Sequence, residues 1–204
     1  MQNFKLLIAT KNKGKITELS RFLSDLPLQL VSLKDIRLTD VVEEDGTTYL
    51  ENSQKKALFY AKKSGLPAVS DDGGLEIEAL GNKPGVHSRR WLGYEATDEE
   101  LINHLIKVSK ELPDNNREAY FRTVVSFALP DGTIWSKEGD VKGIIAKKPL
   151  LKIIKGYPYR SFFFLPEINK FYHESELSQE EIALYNHRYK AIHGLKPIIK
   201  KHIS

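Results

Sequence analysis

The sequence predicts an α/β domain, and three observations carry that prediction. The opening FKLLIAT is a short apolar run of strand length, and after a polar turn it gives way to a stretch whose apolar residues fall on one helical face. A second helical stretch closes on Gly65, with Pro67 beyond, and leads directly into the short apolar run Ala68 to Ser70. Residues 118 to 142 read as a strand pair folded around the turn Pro130-Asp131-Gly132. No repeat, low-complexity run or Pro/Gly/Ser linker separates a further module, so one domain is expected over residues 1–204.

Taken in order, FKLLIAT reads as a buried strand, and Ile16, Leu19, Phe22, Leu23 and Leu26 make the apolar stripe of the first helix. Thr48 and Glu51 have the spacing of a capping box, which starts the second helix. The strand Ala68 to Ser70 is expected to end at Asp71 and Asp72, and LEIEAL alternates as a separate strand. Residues 97 to 111 read as a helix capped by Thr97, with Asp98, Glu99 and Glu100 in the first turn, where the helix dipole favours acid. YFRTVVSFAL and TIWSKEGDV form the hairpin, and SFFFLP reads as a further short strand. The last helix starts near Gln179 and is expected to break near Gly194 and Pro197.

Composition narrows the chemistry. A chain of 204 residues, 41% apolar and 28% charged, is long enough for one sizeable core. The absence of cysteine excludes disulfides, thiolate nucleophiles and cysteine-held metals. A metal must then sit on oxygen or imidazole, and a carboxylate site favours magnesium, with manganese as the alternative. The net charge of +4 suits an anionic ligand and serves solubility equally well. No reading motif for nucleic acid accompanies it, so no stable nucleic-acid binding is expected. No apolar run approaches the length of a membrane span, and lysines interrupt the N-terminal one; no membrane partner and a cytoplasmic location are expected.

Chemistry concentrates in three stretches. In AVSDDGGLEIEAL two carboxylates sit side by side before two glycines; alone this reads either as a turn or as a cation site, because like charges held together need a cation between them. In IATKNKGK three lysines crowd the turn where a strand meets a helix N-terminus, whose free N–H groups make a phosphate cradle; the spacing is not that of a Walker A loop. VVEEDGTTYLEN places further acid ahead of a helix, and with Asp71 and Asp72 it offers a carboxylate set for metal-assisted attack on a polyphosphate. In EEIALYNHRYKA, His187 and Arg188 are neighbours on a helical pattern and point about 100° apart.

Together these blocks resemble the inosine triphosphate pyrophosphatase family, hydrolases of non-standard purine nucleoside triphosphates. Thr10, Asn12 and Lys15 match its opening T-x-N-x-x-K, and Glu18 its helix glutamate. Glu43 through Ser53 is similar to its acidic stretch ending in E-N-A, and DDGGLEIEALGNKPGVHSRR to its D-D-S-G-L and A-L-G-G-x-P-G-x-x-S-x-R blocks, ending at Arg90. Asn186, His187 and Arg188 stand where the family has S-H-R.

The resemblance implies a long, mixed, twisted sheet with flanking helices, two lobes around a central cleft, and a homodimer. It implies hydrolysis at the α-phosphate to a nucleoside monophosphate and pyrophosphate, with Mg2+ or Mn2+. Glu43 and Asp72 would hold the metal, with Glu44 and Asp71 as the one-residue alternatives, and Asp72 would also orient or deprotonate water. Thr10, Lys11, Asn12, Lys13, Gly14 and Lys15 would hold the phosphates, Lys15 catalytically, and His187 and Arg188 would approach the base.

Departures fall on the base side. Gly73 replaces the family serine, and GYPYRS replaces G-F-G-Y-D-P, so Tyr157 and Tyr159 keep aromatic faces while Arg160 stands in place of aspartate. Ile182 takes a lysine position. A pyrimidine or modified nucleotide as substrate, or a nucleotide binder without turnover, are the alternatives this leaves.

Overall fold

The computed structural model describes residues 4–150 and 152–202. Strand β1 (Phe4–Ile8) pairs in parallel with β2 (Leu28–Ser32) and with the start of β3 (Ala68–Ile77). Helix α1 (Lys13–Leu23) connects β1 to β2, and α2 (Tyr49–Ser64) precedes β3. Beyond β3 come β4 (Lys83–Pro84), α3 (Asp98–Glu111), the hairpin β5 (Glu118–Ala128) and β6 (Ile134–Ile145), then β7 (Phe163–Leu165) and β8 (Lys170–Phe171). Helices α4 (Gln179–Tyr185) and α5 (His187–His202) finish the chain. Hydrogen-bonded neighbours run β2-β1-β3-β5-β6-β7-β8, with β4 antiparallel on β3, so the sheet is mixed.

The capping boxes form as their spacing predicts: Thr48 with Glu51 opens α2, and Thr97 with Glu100 opens α3. Helix α2 closes on Gly65 in the left-handed region at φ 67°, a conformation open to a residue without Cβ.

One strand was not anticipated from the sequence, and two expectations need correction. LQLVS forms strand β2, which its half-exposed pattern did not announce. Strand β3 does not end at the aspartates but runs on through Asp71, Asp72, Gly73 and Gly74 to Ile77, so both acids stand within the sheet. The final helical region breaks at Asn186, whose backbone is extended at ψ 112°, and not at Pro197, which lies inside α5.

The chain divides into two compact units. The first comprises Met1–Asp72, Thr123–Gly139 and Arg188–Ser204, and its core gathers Leu7, Ala9, Val31, Ala57, Tyr60, Ala61 and Ala68 between strands and α2. The second comprises Gly73–Arg122 and Asp140–His187, with a larger core of Leu75, Ile77, Leu101, Leu105, Phe121, Phe162, Phe163 and Tyr172.

Candidate active site

The first unit holds a buried cluster of charge at the middle of β3. The turn leaving β1 is shaped by its own side chains: Thr10 Oγ1 accepts from Asn12 N–H at 3.2 Å, and Asn12 Oδ1 caps α1 by accepting from Lys15 N–H at 3.2 Å. The first-turn N–H groups of α1 have no acceptor within the helix and carry its positive end. Lys15 reaches from this turn to Asp71, its Nζ 3.4 Å from Oδ2 and 3.5 Å from the backbone carbonyl. Lys11 instead donates to the Thr39 carbonyl, and the Lys13 side chain is exposed.

Asp71 is fully buried, and its second cation arrives from the far end of the sequence. Arg188 donates from Nε to Asp71 Oδ2 at 2.9 Å and from Nη1 to the buried Glu18. Burial alone would push the Asp71 carboxyl up; Arg188, Lys15 and Lys56 outweigh it and hold the group well below the usual carboxylate range. Asp71 Oδ1 is buried without a hydrogen-bond partner among the described residues.

Asp72 lies in a different environment. Its Oδ2 accepts from Asn52 Nδ2 at 3.2 Å, and Lys56 Nζ stands 3.9 Å from Oδ1. Burial raises this carboxyl above its ordinary value, Glu44 adds to the rise, and Lys56, Lys15 and Asn52 only partly offset it. The carboxyls of the two adjacent aspartates are thereby shifted in opposite directions.

Glu44 and Glu43, in the loop before α2, stand in different surroundings. Lys56 Nζ donates to Glu44 at 2.6 Å while facing Asp72, whereas Glu43 is exposed. Asn52 fixes this loop as well, accepting from Gly46 N–H at 2.8 Å and donating to its carbonyl at 3.3 Å. The approach is so close that a Cβ on Gly46 would stand 2.7 Å from Asn52 Oδ1, which is why glycine occupies the position. Buried hydroxyls seat the helix: Ser53 Oγ donates to Ser126 Oγ at 2.9 Å, and Ser70 Oγ to the Ser53 carbonyl at 2.5 Å.

Asn52 and Lys56 are the site residues that the sequence reading passed over. Their signal lies in α2 itself, where Asn52, Lys56 and Tyr60 follow an i, i+4, i+8 spacing on the buried face. A lysine on a buried face needs acid opposite it.

The other predicted residues lie in the second unit. His187 is buried, its Nδ1 2.7 Å from Tyr172 Oη and its ring stacked on Phe121 at 5.4 Å. The Arg160 guanidinium lies 3.8 Å over the Tyr157 ring and 4.9 Å over Tyr172. Tyr159 is built into the core and donates to the Ser88 carbonyl at 2.5 Å, so its ring is committed to packing rather than open for stacking. Arg90 borders a recess of about 400 Å3 with Lys83, His87 and Trp91, and Gly73 lies within β3. Arg188, expected beside the base with His187, lies in the first unit and pairs with Asp71 and Glu18.

A helix N-terminus and its lysine set against paired aspartates, on a mixed sheet with flanking helices, define the class: an α/β protein whose candidate site joins a helix N-terminus, a lysine and two carboxylates. The chain belongs to the Ham1 family, whose sequence model matches residues 6–198. It is 40% identical over 195 residues to the dITP/XTP pyrophosphatase of Thermus thermophilus, covering 96% of this chain and 91% of that one. It is 36% identical over 190 residues to the dITP/XTP pyrophosphatase of Escherichia coli strain K12, covering 92% and 94%. Among solved structures, a Ham1 protein from Coxiella burnetii superposes with a TM-score of 0.81 at 31% identity, covering 97% of this chain and 99% of that one. The Staphylococcus aureus Ham1 protein gives 0.79 at 30% identity, with the same coverage.

Proposed function

We propose that this protein hydrolyses non-standard purine nucleoside triphosphates to the nucleoside monophosphate and pyrophosphate, clearing them from the nucleotide pool as one catalytic domain in a cytoplasmic homodimer. The observation that carries the reading is Lys15 at the mouth of α1, 3.4 Å from Asp71 and beside Asp72. The dITP/XTP pyrophosphatase names of relatives aligned over nearly their whole length support the purine class. Among the described residues no helix is long and apolar enough to cross a membrane.

In this reading Asp72 is the proton acceptor, and Asn52 keeps its orientation. Water attacks the α-phosphorus as its proton passes to Asp72, and the bond from phosphorus to the bridging oxygen breaks, releasing pyrophosphate. Lys15 and the first-turn N–H groups of α1 receive the phosphates and stabilise charge on the leaving group. Arg188 holds Asp71, and Asp71 holds Lys15, so the lysine is steadied from behind by an ion pair shielded from water.

The cluster fits a magnesium or manganese ion of limited protein ligation. Lys15, Lys56 and Arg188 face Glu18, Glu44, Asp71 and Asp72, which leaves one net negative charge when all are ionised. Such a site repels a triphosphate unless a further cation joins it. Magnesium binds through one or two carboxylates with substrate phosphates and water completing its shell. Glu44 and Asp72 would hold it, and it would supply neutralisation of phosphate charge and a more acidic water.

A panel of nucleoside triphosphates assayed for pyrophosphate release with and without magnesium tests the proposal. Magnesium-dependent release from inosine or xanthosine triphosphate is expected. Binding without turnover, or turnover restricted to pyrimidine nucleotides, would overturn it.

A further inference from the structure

Four serines from four elements of the first unit meet on the face of the sheet that also carries Asp72. Successive side chains of a strand point to opposite faces, so Ser70 and Asp72 share the face of β3 that α2 covers, while Asp71 turns to α1 and α5. Ser53 of α2, Ser70 of β3 and Ser126 of β5 are fully buried, and Ser136 near the start of β6 is half-buried.

A hydroxyl has one proton to give, which orders the chain of bonds. Ser70 Oγ donates to the Ser53 carbonyl at 2.5 Å, and Ser53 Oγ donates to Ser126 Oγ at 2.9 Å. Ser126, already accepting, has its own proton for Ser136 Oγ at 2.9 Å, and Ser136 also accepts from Gln54 Nε2 of α2 at 3.2 Å. The other acceptors near Ser53 Oγ, the Ser70 carbonyl at 3.4 Å and Ser70 Oγ at 3.5 Å, stand at the limit of a hydrogen bond.

Apolar contact is non-directional and lets a helix roll on a sheet, whereas a hydrogen bond weakens steeply as its angle closes. Asn52 precedes Ser53 and Lys56 follows it by one turn, so a roll fixed at Ser53 is fixed for both. With side chains about 5–6 Å from the helix axis, a roll of about 10° moves their tips by about 1 Å. That carries Asn52 Nδ2, now 3.2 Å from Asp72 Oδ2, out of bonding range.

We propose that Ser53 is a positioning residue: its bond to Ser126 sets the roll of α2 on the sheet and thereby holds the Asn52 amide on Asp72. The inference rests on the function proposed above, in which Asp72 takes the proton, and assigns a residue that touches neither the substrate nor the reacting atoms.

The test compares Ser53→Ala, Ser126→Ala and the double variant with the wild type in pyrophosphate release and melting, together with crystal structures of the wild type and both single variants. Each single variant should lower kcat about tenfold, inside the roughly 10²-fold that a 1 Å misplacement can cost. KM should stay within about twofold, because Lys15 and the α1 N-terminus, which receive the phosphates, are not on α2. Tm should fall by only about 2–4 °C, the size of one hydrogen bond. The double variant should lose no more kcat than either single one, since all three remove the same bond, and the variant structures should show Asn52 parted from Asp72. If Ser53→Ala does not fold, Ser126→Ala carries the same test from the sheet side. Losses that multiply in the double variant, a variant structure that keeps the Asn52 bond, or full kcat with that bond broken would show that the serines only pack, and this inference fails by itself. If the wild type releases pyrophosphate from no triphosphate, the proposed function fails and takes this inference with it.

Discussion

Replacing Arg188 by methionine removes the guanidinium but keeps an unbranched side chain of similar reach. Glu18 and Asp71 are then left face to face, their side chains 5% and 0% exposed, with Lys15 as the cation still touching Asp71. Breaking a buried pair by deleting one partner costs about 3–5 kcal/mol. For a chain of this size each kcal/mol shifts Tm by about 2–4 °C, so a fall of roughly 6–20 °C is expected near pH 8.

The dependence on pH follows from Asp71. In the wild type its carboxyl is depressed below the ordinary 3.8, so its contribution is complete above that value and is lost as pH falls towards the folded-state pKa. Without Arg188, burial is opposed by less positive charge and the carboxyl rises; protonation then relieves the variant first. The gap in Tm between wild type and variant should therefore shrink between pH 8 and pH 5. Differential scanning fluorimetry across that range measures it. A variant melting within 2 °C of the wild type at pH 8, about the smallest shift one kcal/mol would give, or a gap that widens in acid, would refute the buried counterion.

Asp72→Asn should lower kcat by on the order of 10²–10⁴-fold while the fold persists, as pyrophosphate release and melting measured together will show; near wild-type activity in a folded variant removes Asp72 from the chemistry. Lys15→Ala should reduce kcat more than Lys11→Ala or Lys13→Ala, because only Lys15 touches Asp71, and three equal losses would indicate a diffuse field instead. Gly46→Ala must displace Asn52 or the loop, since the new Cβ meets Asn52 Oδ1 at 2.7 Å and Glu51 Cβ at 2.8 Å; a loss of about 1–3 kcal/mol in denaturant melts and a raised magnesium requirement are expected, and an unchanged melt would show that the contact yields freely.

What was legible in the sequence was local. Thr48 with Glu51, and Thr97 with Glu100, announce their helices because each cap closes within one turn. Strand β2 was not legible, because its half-exposed residues gain their structure from β1, 24 positions away in register. The run of β3 through two aspartates reads as improbable until the cations are known, and one of them lies 117 residues further on. Motif spacing left Glu43 and Glu44 undecided, and the contact of Lys56 with Glu44 was not readable from it, because it joins residues 12 positions apart. The pairing of Arg188 with Asp71 and Glu18 was not readable from spacing, because the partners lie 117 and 170 residues away.

Hydrolysis of inosine or xanthosine triphosphate in 18O-labelled water, with magnesium present, tests the central claim most directly. Attack at the α-phosphorus places one labelled oxygen in the nucleoside monophosphate and leaves pyrophosphate unlabelled, and mass spectrometry of the two products reads the outcome. Label in pyrophosphate, or orthophosphate as the first product, would contradict the account, because the attack would then fall on the β- or γ-phosphorus.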